Sequence, residues 1–209
     1  ETIANPKNDV LDIAGVAKIA HEVGVPLIVD NTVATAFLIK PIEHGADVVV
    51  YSATKFLSGH GNSVVGAIVD SGNFDYAKHP QRFKNFNEPD PSYHGLVYAV
   101  NLGVGSPFGA NLSYIFKIRL QLLRDVGAAV SPFNAWLLAQ GLETLSLRME
   151  RHIENAKAIA TWLEKHPSVE KVNYAALESS PWYGLAKKYS PKGPGAVLSF
   201  ELKGGVAAG

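Results

Sequence analysis

The sequence predicts an α/β fold: a mostly parallel sheet with helices on both faces, followed by the start of a smaller α+β domain. Three observations carry that expectation. Short apolar runs, Val25–Asp30, Asp47–Tyr51 and Val64–Val69, alternate with segments that have helical spacing. These runs are almost continuously apolar, as strands covered on both faces are. Beyond His166-Pro167 two further strand-like runs, Val169–Tyr174 and Ala196–Leu202, read as the opening of a smaller α+β unit.

Each element has a local reason. Asp12 is placed to cap a helix in which Ile13, Val16, Ala17, Ala20 and Val23 recur at helical spacing, and Gly24 stands where a left-handed terminal residue is expected. Val25–Asp30 reads as a buried strand, with Pro26 near its start, where a missing ladder donor is tolerated. Thr32 to Gly45 is a loop with a short helix, and Asp47–Tyr51 is the second strand. The glycine-rich turn Ser58–Asn62 leads to the third run. Glu88–Gly95 holds two prolines in three positions and is a long loop, functional or interfacial in character.

Asn111–Val126 is helical by pattern. Ser131-Pro132 pairs a capping hydroxyl with a first-turn proline and opens a helical stretch to about Lys165, broken near Gly141 and ended by His166-Pro167. Val169–Tyr174 and Ala196–Leu202 are strands of the second unit. The division is therefore 1–147, part of a ligand-binding domain, and 148–209, the incomplete beginning of a C-terminal one.

Composition excludes several functions. Lys+Arg and Asp+Glu balance at 19 each with no basic run, which disfavours a nucleic-acid partner. The absence of cysteine removes disulfide and thiolate chemistry and fits a cytoplasmic protein. No apolar stretch approaches the roughly 18 residues of a membrane helix. Neither end reads as a natural terminus, and the chain is expected to be a fragment of a longer protein, inactive by itself.

The chemistry starts at Lys55, in Tyr51-Ser52-Ala53-Thr54-Lys55-Phe56, just beyond one apolar run, and at Asp30, which closes another. In an α/β sheet, ligands bind beyond the carboxyl ends of strands. A lysine with neighbouring hydroxyls and an aspartate at a second strand end are what a pyridoxal phosphate (PLP) enzyme needs: a Schiff-base amine and a carboxylate that keeps the pyridine nitrogen protonated. Ser52 and Thr54, two apart on a strand, point the same way and can donate to phosphate oxygens. Taken singly, a solvated strand-end lysine and a capping aspartate remain open readings. No histidine pair has metal-ligand spacing beside a carboxylate.

Glu1-Thr2-Ile3-Ala4-Asn5-Pro6, Val29-Asp30-Asn31-Thr32, and Ser52-Ala53-Thr54-Lys55-Phe56 followed by Gly59-His60-Gly61 resemble the cofactor motifs of the Cys/Met-metabolism PLP enzymes, the cystathionine γ-synthase-like branch of fold type I. Asp70–Asp75, Glu88–Gly95 and Gln140–Leu145 are most similar to the O-acetylhomoserine sulfhydrylase group within it. The similarity covers nearly the whole chain. It implies the large domain of a fold type I PLP-dependent transferase, with pyridoxal 5′-phosphate as cofactor.

The resemblance also assigns residues. Lys55 is the Schiff-base and catalytic lysine, Asp30 the partner of the pyridine nitrogen, Ser52 and Thr54 the phosphate contacts, and Asn5 the partner of the ring's phenolic oxygen. Asn5 otherwise reads as a turn residue before Pro6. Thr32 is either a ring-lining residue or a turn hydroxyl, and His60 packs beside the lysine or acts as a base. Tyr93 and His94 face substrate or a neighbouring subunit, or anchor their loop, while His152 and His166 are placed at the surface. The implied reaction is a γ-replacement of acetate by sulfide in O-acetylhomoserine, giving homocysteine, in a homotetramer. Cystathionine γ-synthase, a γ-lyase, O-succinylhomoserine sulfhydrylase and a non-catalytic truncated module remain the alternatives.

Overall fold

The apolar runs form a three-stranded sheet. The structure, a computed structural model, describes residues 1–208. Helix α1 (Ile13–Glu22) leads to β1 (Ile28–Asp30), and a short α2 (Thr35–Leu38) precedes β2 (Val48–Ser52) and β3 (Gly66–Asp70). Short helices α3 (Lys84–Asn87), α4 (Tyr98–Asn101) and α5 (Ser113–Lys117) follow, and α5 continues through a wider π-wound stretch, Ile118–Leu123, into α6 (Arg124–Val126). Then come α7 (Pro132–Glu143), the long α8 (Leu145–Glu164), β4 (Val169–Asn173), α9 (Tyr183–Tyr189) and β5 (Ser199–Leu202).

β1 and β2 run parallel, with Ile28 opposite Val48 and Asp30 opposite Val50. β3 runs antiparallel to β2, Val48 facing Asp70 and Ser52 facing Gly66. The described sheet is thus mixed. Segment 53–65 contains turns and no helix, and a parallel return needs a crossover of about a dozen or more residues, usually helical. Cover is also uneven: Val48 and Val49 are buried, whereas Ile68 and Val69 of edge strand β3 are 43% and 44% exposed. β4 and β5 form a separate antiparallel pair.

The caps divide in outcome. Ser131 accepts from the Asn134 backbone N–H at 3.2 Å and caps α7, followed by Pro132. Gly24 ends α1 with φ +67°, a conformation that strains a residue with a Cβ. Asp12, however, makes no side-chain cap. Its carboxylate accepts instead from the Tyr189 hydroxyl and, at 3.3 Å, from Lys188 Nζ, so it ties α1 to α9.

One core cluster gathers Ile3, Ile13, Val29, Leu38, Val49 and Met149. Met149 is fully buried, so the start of α8 belongs to the same core as the strands. Farther along α8, Ala156 and Ala160 pack with Tyr174 and Leu177 in another cluster. A third, aromatic cluster holds Tyr76, Phe86 and Tyr98, with the Tyr76 and Phe86 rings stacked at 4.1 Å.

The proline-rich loop beneath that cluster is organised by Asp90. Its carboxylate accepts from the Ser92 hydroxyl at 2.6 Å, the Ser92 N–H at 2.9 Å and the Tyr98 hydroxyl at 3.0 Å. Its backbone pairs with Leu96. His94 takes the left-handed φ of +54° at the loop's bend. Of the roles considered for this loop, anchoring is the one its contacts display. The Ser92 hydroxyl first, then the Ser92 amide and Tyr98, hold the Asp90 carboxyl below the usual 3.8. A carboxyl with a lowered folded value contributes stability above its unfolded value and loses that contribution as pH falls through the folded one. Asp90→Asn should therefore destabilise the protein by about 1–3 kcal/mol at neutral pH and flatten its acid-side loss below roughly pH 4, as read by urea unfolding at both pH values.

Candidate active site

Parallel pairing brings the carboxyl ends of β1 and β2 side by side, and three motif residues meet there. Asp30 ends β1 and its Oδ1 accepts the Thr32 backbone N–H at 2.8 Å. The Thr32 hydroxyl in turn accepts the Ser52 backbone N–H at 2.8 Å. Thr32 thus couples the aspartate to the end of the strand that leads to the lysine, combining a turn hydroxyl with a site-building one. The neighbouring Asn31, fully buried, accepts from the Thr2 hydroxyl at 2.7 Å and donates to Ile39 O and Tyr51 Oη.

The N-terminal segment is drawn to the same edge. The Thr2 N–H donates to Asp30 O at 2.9 Å, and Ile3 bridges to Val10. Asn5 lies three residues along this segment, exposed, and its backbone N–H donates to the Glu1 carboxylate at 3.1 Å. Its side chain makes no hydrogen bond with Asp30, Ser52 or Lys55 among the described residues.

Lys55 follows β2 in a compact turn. The Lys55 N–H donates to Ser52 O at 3.2 Å, Ser58 N–H to Ala53 O at 3.0 Å, and Gly59 N–H to Lys55 O at 2.8 Å. Lys55 is exposed, and among the described residues its amine has no hydrogen-bond or salt-bridge partner. A cleft of about 260 Å³ opens over this turn, with Thr54, Lys55 and Phe56 on one wall and Arg148 and His152 on the other. Larger clefts, about 700 Å³ beside β3 and about 460 Å³ between β4 and Ser179–Trp182, contain none of Asn5, Asp30, Ser52, Thr54 and Lys55. Volume alone would misplace the site.

Two expectations change. β2 ends at Ser52, so Thr54 lies in the turn and strand alternation does not align its hydroxyl with Ser52. The Thr54 hydroxyl accepts the Val65 N–H at 3.0 Å and makes a long 3.4 Å contact with Val65 O, stitching the turn to the approach to β3. His152 is half-buried rather than a surface residue: its ring packs edge-on against Phe56 at 5.7 Å on the cleft wall. His60 binds Ser58 O through Nδ1 at 2.8 Å, a local contact within the glycine turn.

Arg148 escaped the sequence reading. Its guanidinium donates to Phe56 O at 2.8 Å, Leu57 O at 3.3 Å and Gly141 O at 2.8 Å, and Nε donates to the Thr144 hydroxyl at 3.1 Å. Burial lowers its pKa below the usual arginine value. On a polar helical stretch it looked like one more surface cation. The available signal was Gly141, the interruption already noted in the helical pattern.

The donor set fits a cofactor with an aldehyde, a phosphate and a basic ring nitrogen. The lysine amine has no partner among the described residues, Ser52 and Thr54 supply hydroxyls, and Asp30 holds one carboxylate oxygen in place with Thr32. The hydroxyl of Ser63, between the lysine turn and β3, is buried with no partner among the described residues. The chain matches the model of the Cys/Met metabolism PLP-dependent enzymes over residues 1–208 and belongs to that family, whose cofactor is pyridoxal 5′-phosphate.

Its relatives narrow the likeness. It is 55% identical over 208 residues to the O-acetyl-L-homoserine sulfhydrylase of Leptospira meyeri, covering 99% of this chain and 47% of that protein. It is 54% identical to the homocysteine synthase of Schizosaccharomyces pombe, covering 98% and 46%. Among solved structures, an O-acetylhomoserine (thiol)-lyase from Campylobacter jejuni carrying N′-pyridoxyl-lysine-5′-monophosphate superposes with a TM-score of 0.87. It is 41% identical, and the match covers 97% of this chain and 47% of that one. The fold is therefore that of a PLP-dependent enzyme of this family, and the chain spans about half the length of the relatives it matches. No helix among the described residues is long and apolar enough to cross a membrane.

A methyl group at Gly141 would meet Ser58 O at 2.0 Å, whereas one at Gly184, in α9, would meet open space. Gly141→Ala should cost about 1–3 kcal/mol, and Gly184→Ala should stabilise by about 0.5–1 kcal/mol. Denaturant midpoints of the two variants check this.

Proposed function

We propose that this chain carries the lysine side of the active site of an O-acetylhomoserine sulfhydrylase, which replaces acetate by sulfide at the γ-carbon to give homocysteine. The observation that carries the proposal is the adjacency of the carboxyl ends of β1 and β2, where Asp30 and the Lys55 turn are joined through Thr32. The names of the relatives support the substrate pair. When bound, pyridoxal phosphate supplies an electron sink for charge developing beside its ring.

This chain's residues supply position and protons. In this reading Lys55 holds the cofactor covalently through Nζ. Once released, its neutral amine removes the α-proton of the substrate and carries it onward, a general acid–base role. The Asp30 carboxylate keeps a proton on the pyridine nitrogen, with Thr32 fixing its orientation. The Ser52 and Thr54 hydroxyls donate to phosphate oxygens; for Thr54 this means turning its proton from the long Val65 contact. Asn5 donates to the ring's phenolic oxygen. Acetate leaves the γ-carbon with the electron pair of its C–O bond, hydrosulfide then adds at that carbon, and the protons taken from the substrate carbons are returned to them, so that hydrosulfide in and acetate out balance.

The division at 147/148 is proposed with α8 as the element shared by both parts, because Met149 and Ala160 enter different clusters. We also infer a cytoplasmic homotetramer. Phe133 and Trp136, exposed on α7 with rings 5.8 Å apart, supply apolar surface suited to an interface.

Borohydride treatment of the full chain with cofactor should fix the pyridoxyl group on Lys55, and Lys55→Ala should abolish the labelled peptide in a mass spectrum. Asp30→Asn should retain labelling but lower turnover by about 10²–10⁴-fold. Homocysteine formation should favour acetyl- over succinyl-homoserine; a dominant γ-elimination of methionine would reject the assignment. Sedimentation of the full chain should give four copies.

A further inference from the structure

We infer that Arg148 is a positioning residue for Lys55, acting through the backbone of the turn that carries it. The inference rests on the reading of Lys55 as the cofactor lysine. Among the described residues the Lys55 side chain has no partner that fixes it, so its place is set by the backbone of residues 52–59. That backbone is anchored at one end by β2, where Ser52 pairs with Gly66.

At the other end the accounting of hydrogen bonds singles out Arg148. The carbonyls of Ser52, Ala53 and Lys55 accept backbone N–H groups within the turn, and Thr54 O accepts the Ser58 hydroxyl at 3.1 Å. The carbonyls of part-buried Phe56 and Leu57 have no such partner inside the turn, and a carbonyl left unpaired away from water is costly. Arg148 takes both. A third bond goes to Gly141 O, near the end of α7 where helix carbonyls lose their intrahelical donors. The guanidinium makes four hydrogen bonds in all and no ion pair among the described residues.

Two glycines keep the junction of turn and helix open, one beside the guanidinium and one beside the Ser58 backbone. A Cβ at Gly59 would lie 2.5 Å from Arg148 Cζ, and one at Gly141 would lie 2.0 Å from Ser58 O. Loop and helix therefore approach as bare backbone, and the planar fork fills the junction. A lysine at 148 would keep the charge, but a single ammonium on a flexible stem does not reproduce a rigid fork that spans these carbonyls. Loss of the fork should free the turn between Phe56 and Gly59 and spread the positions open to the Lys55 amine.

The test compares full-chain wild type with Arg148→Met and Arg148→Lys. Amide exchange without cofactor should rise on the order of tenfold or more at Ser58 and Gly59 in both variants, with Val49 and Val50 of β2 unchanged. The dissociation constant of pyridoxal phosphate should rise by a similar factor, and borohydride labelling of Lys55 at limiting cofactor should fall with it. A folded variant with wild-type exchange at Ser58 and Gly59 and wild-type cofactor affinity overturns the inference; if Arg148→Met does not fold, Arg148→Lys decides. Wild-type protein that fails to label at Lys55 instead overturns the underlying assignment of the lysine, whatever the variants do.

Discussion

The parallel pairing of β1 with β2 is the constraint on which the rest of the site depends. With Asp30 opposite Val50, the last residue of one strand sits two positions before the end of the other, and both chains leave the sheet in the same direction. A side-chain period of two makes such a register intolerant of a one-residue slip: the shift would turn buried Val29 to the side on which Ile28 is half exposed. Core burial therefore fixes the separation of the two functional strand ends. The Thr32 bridge then requires little further ordering, because its partners are already adjacent.

That constraint explains why much was legible in the sequence. The runs ending at Asp30 and Tyr51 are short, apolar and bounded by turn residues, so the strands and the adjacency of their carboxyl ends could be read together. Ser131-Pro132 and Gly24 signalled a helix start and stop because cap chemistry is local. Asp12 misled for a tertiary reason: Tyr189 and Lys188, more than 170 residues away, claim the carboxylate that local rules assign to the helix end. The direction of β3 was similarly hidden, since an apolar run does not encode which way it enters the sheet. Thr54 was misjudged because the strand stops at Ser52, and alternation holds only within a strand.

Arg148 shows a different limit. A helix pattern reports which side of a helix is apolar, and by that measure arginine between Leu147 and Met149 belongs to the solvent side. What draws it inward is a deficit of hydrogen-bond donors in a turn some ninety positions earlier, at Phe56 and Leu57. Such a deficit is a property of the folded turn, so no window of sequence around residue 148 contains it. The glycine at 141 is its only local trace, because close backbone approach leaves no room for a Cβ.

These contacts also give α8 a mechanical role that a division of the chain at residue 147 obscures. Consecutive residues at its start perform different tasks: Arg148 saturates the lysine turn, and Met149 fills the core under the strands. One turn later Ile153 still packs on that core and lies where a Cβ on Gly193 would fall, and two to three turns after Met149 the helix reaches the Tyr174 side through Ala156 and Ala160. A continuous helix is stiff because each residue is tied to the next turn by its backbone hydrogen bonds. Displacing its far half would therefore act on the arginine fork and, through Met149, on the core beneath β1 and β2. The position of the lysine is thus linked to the second part of the chain through one helix and the two hydrogen bonds by which Arg148 holds Phe56 O and Leu57 O.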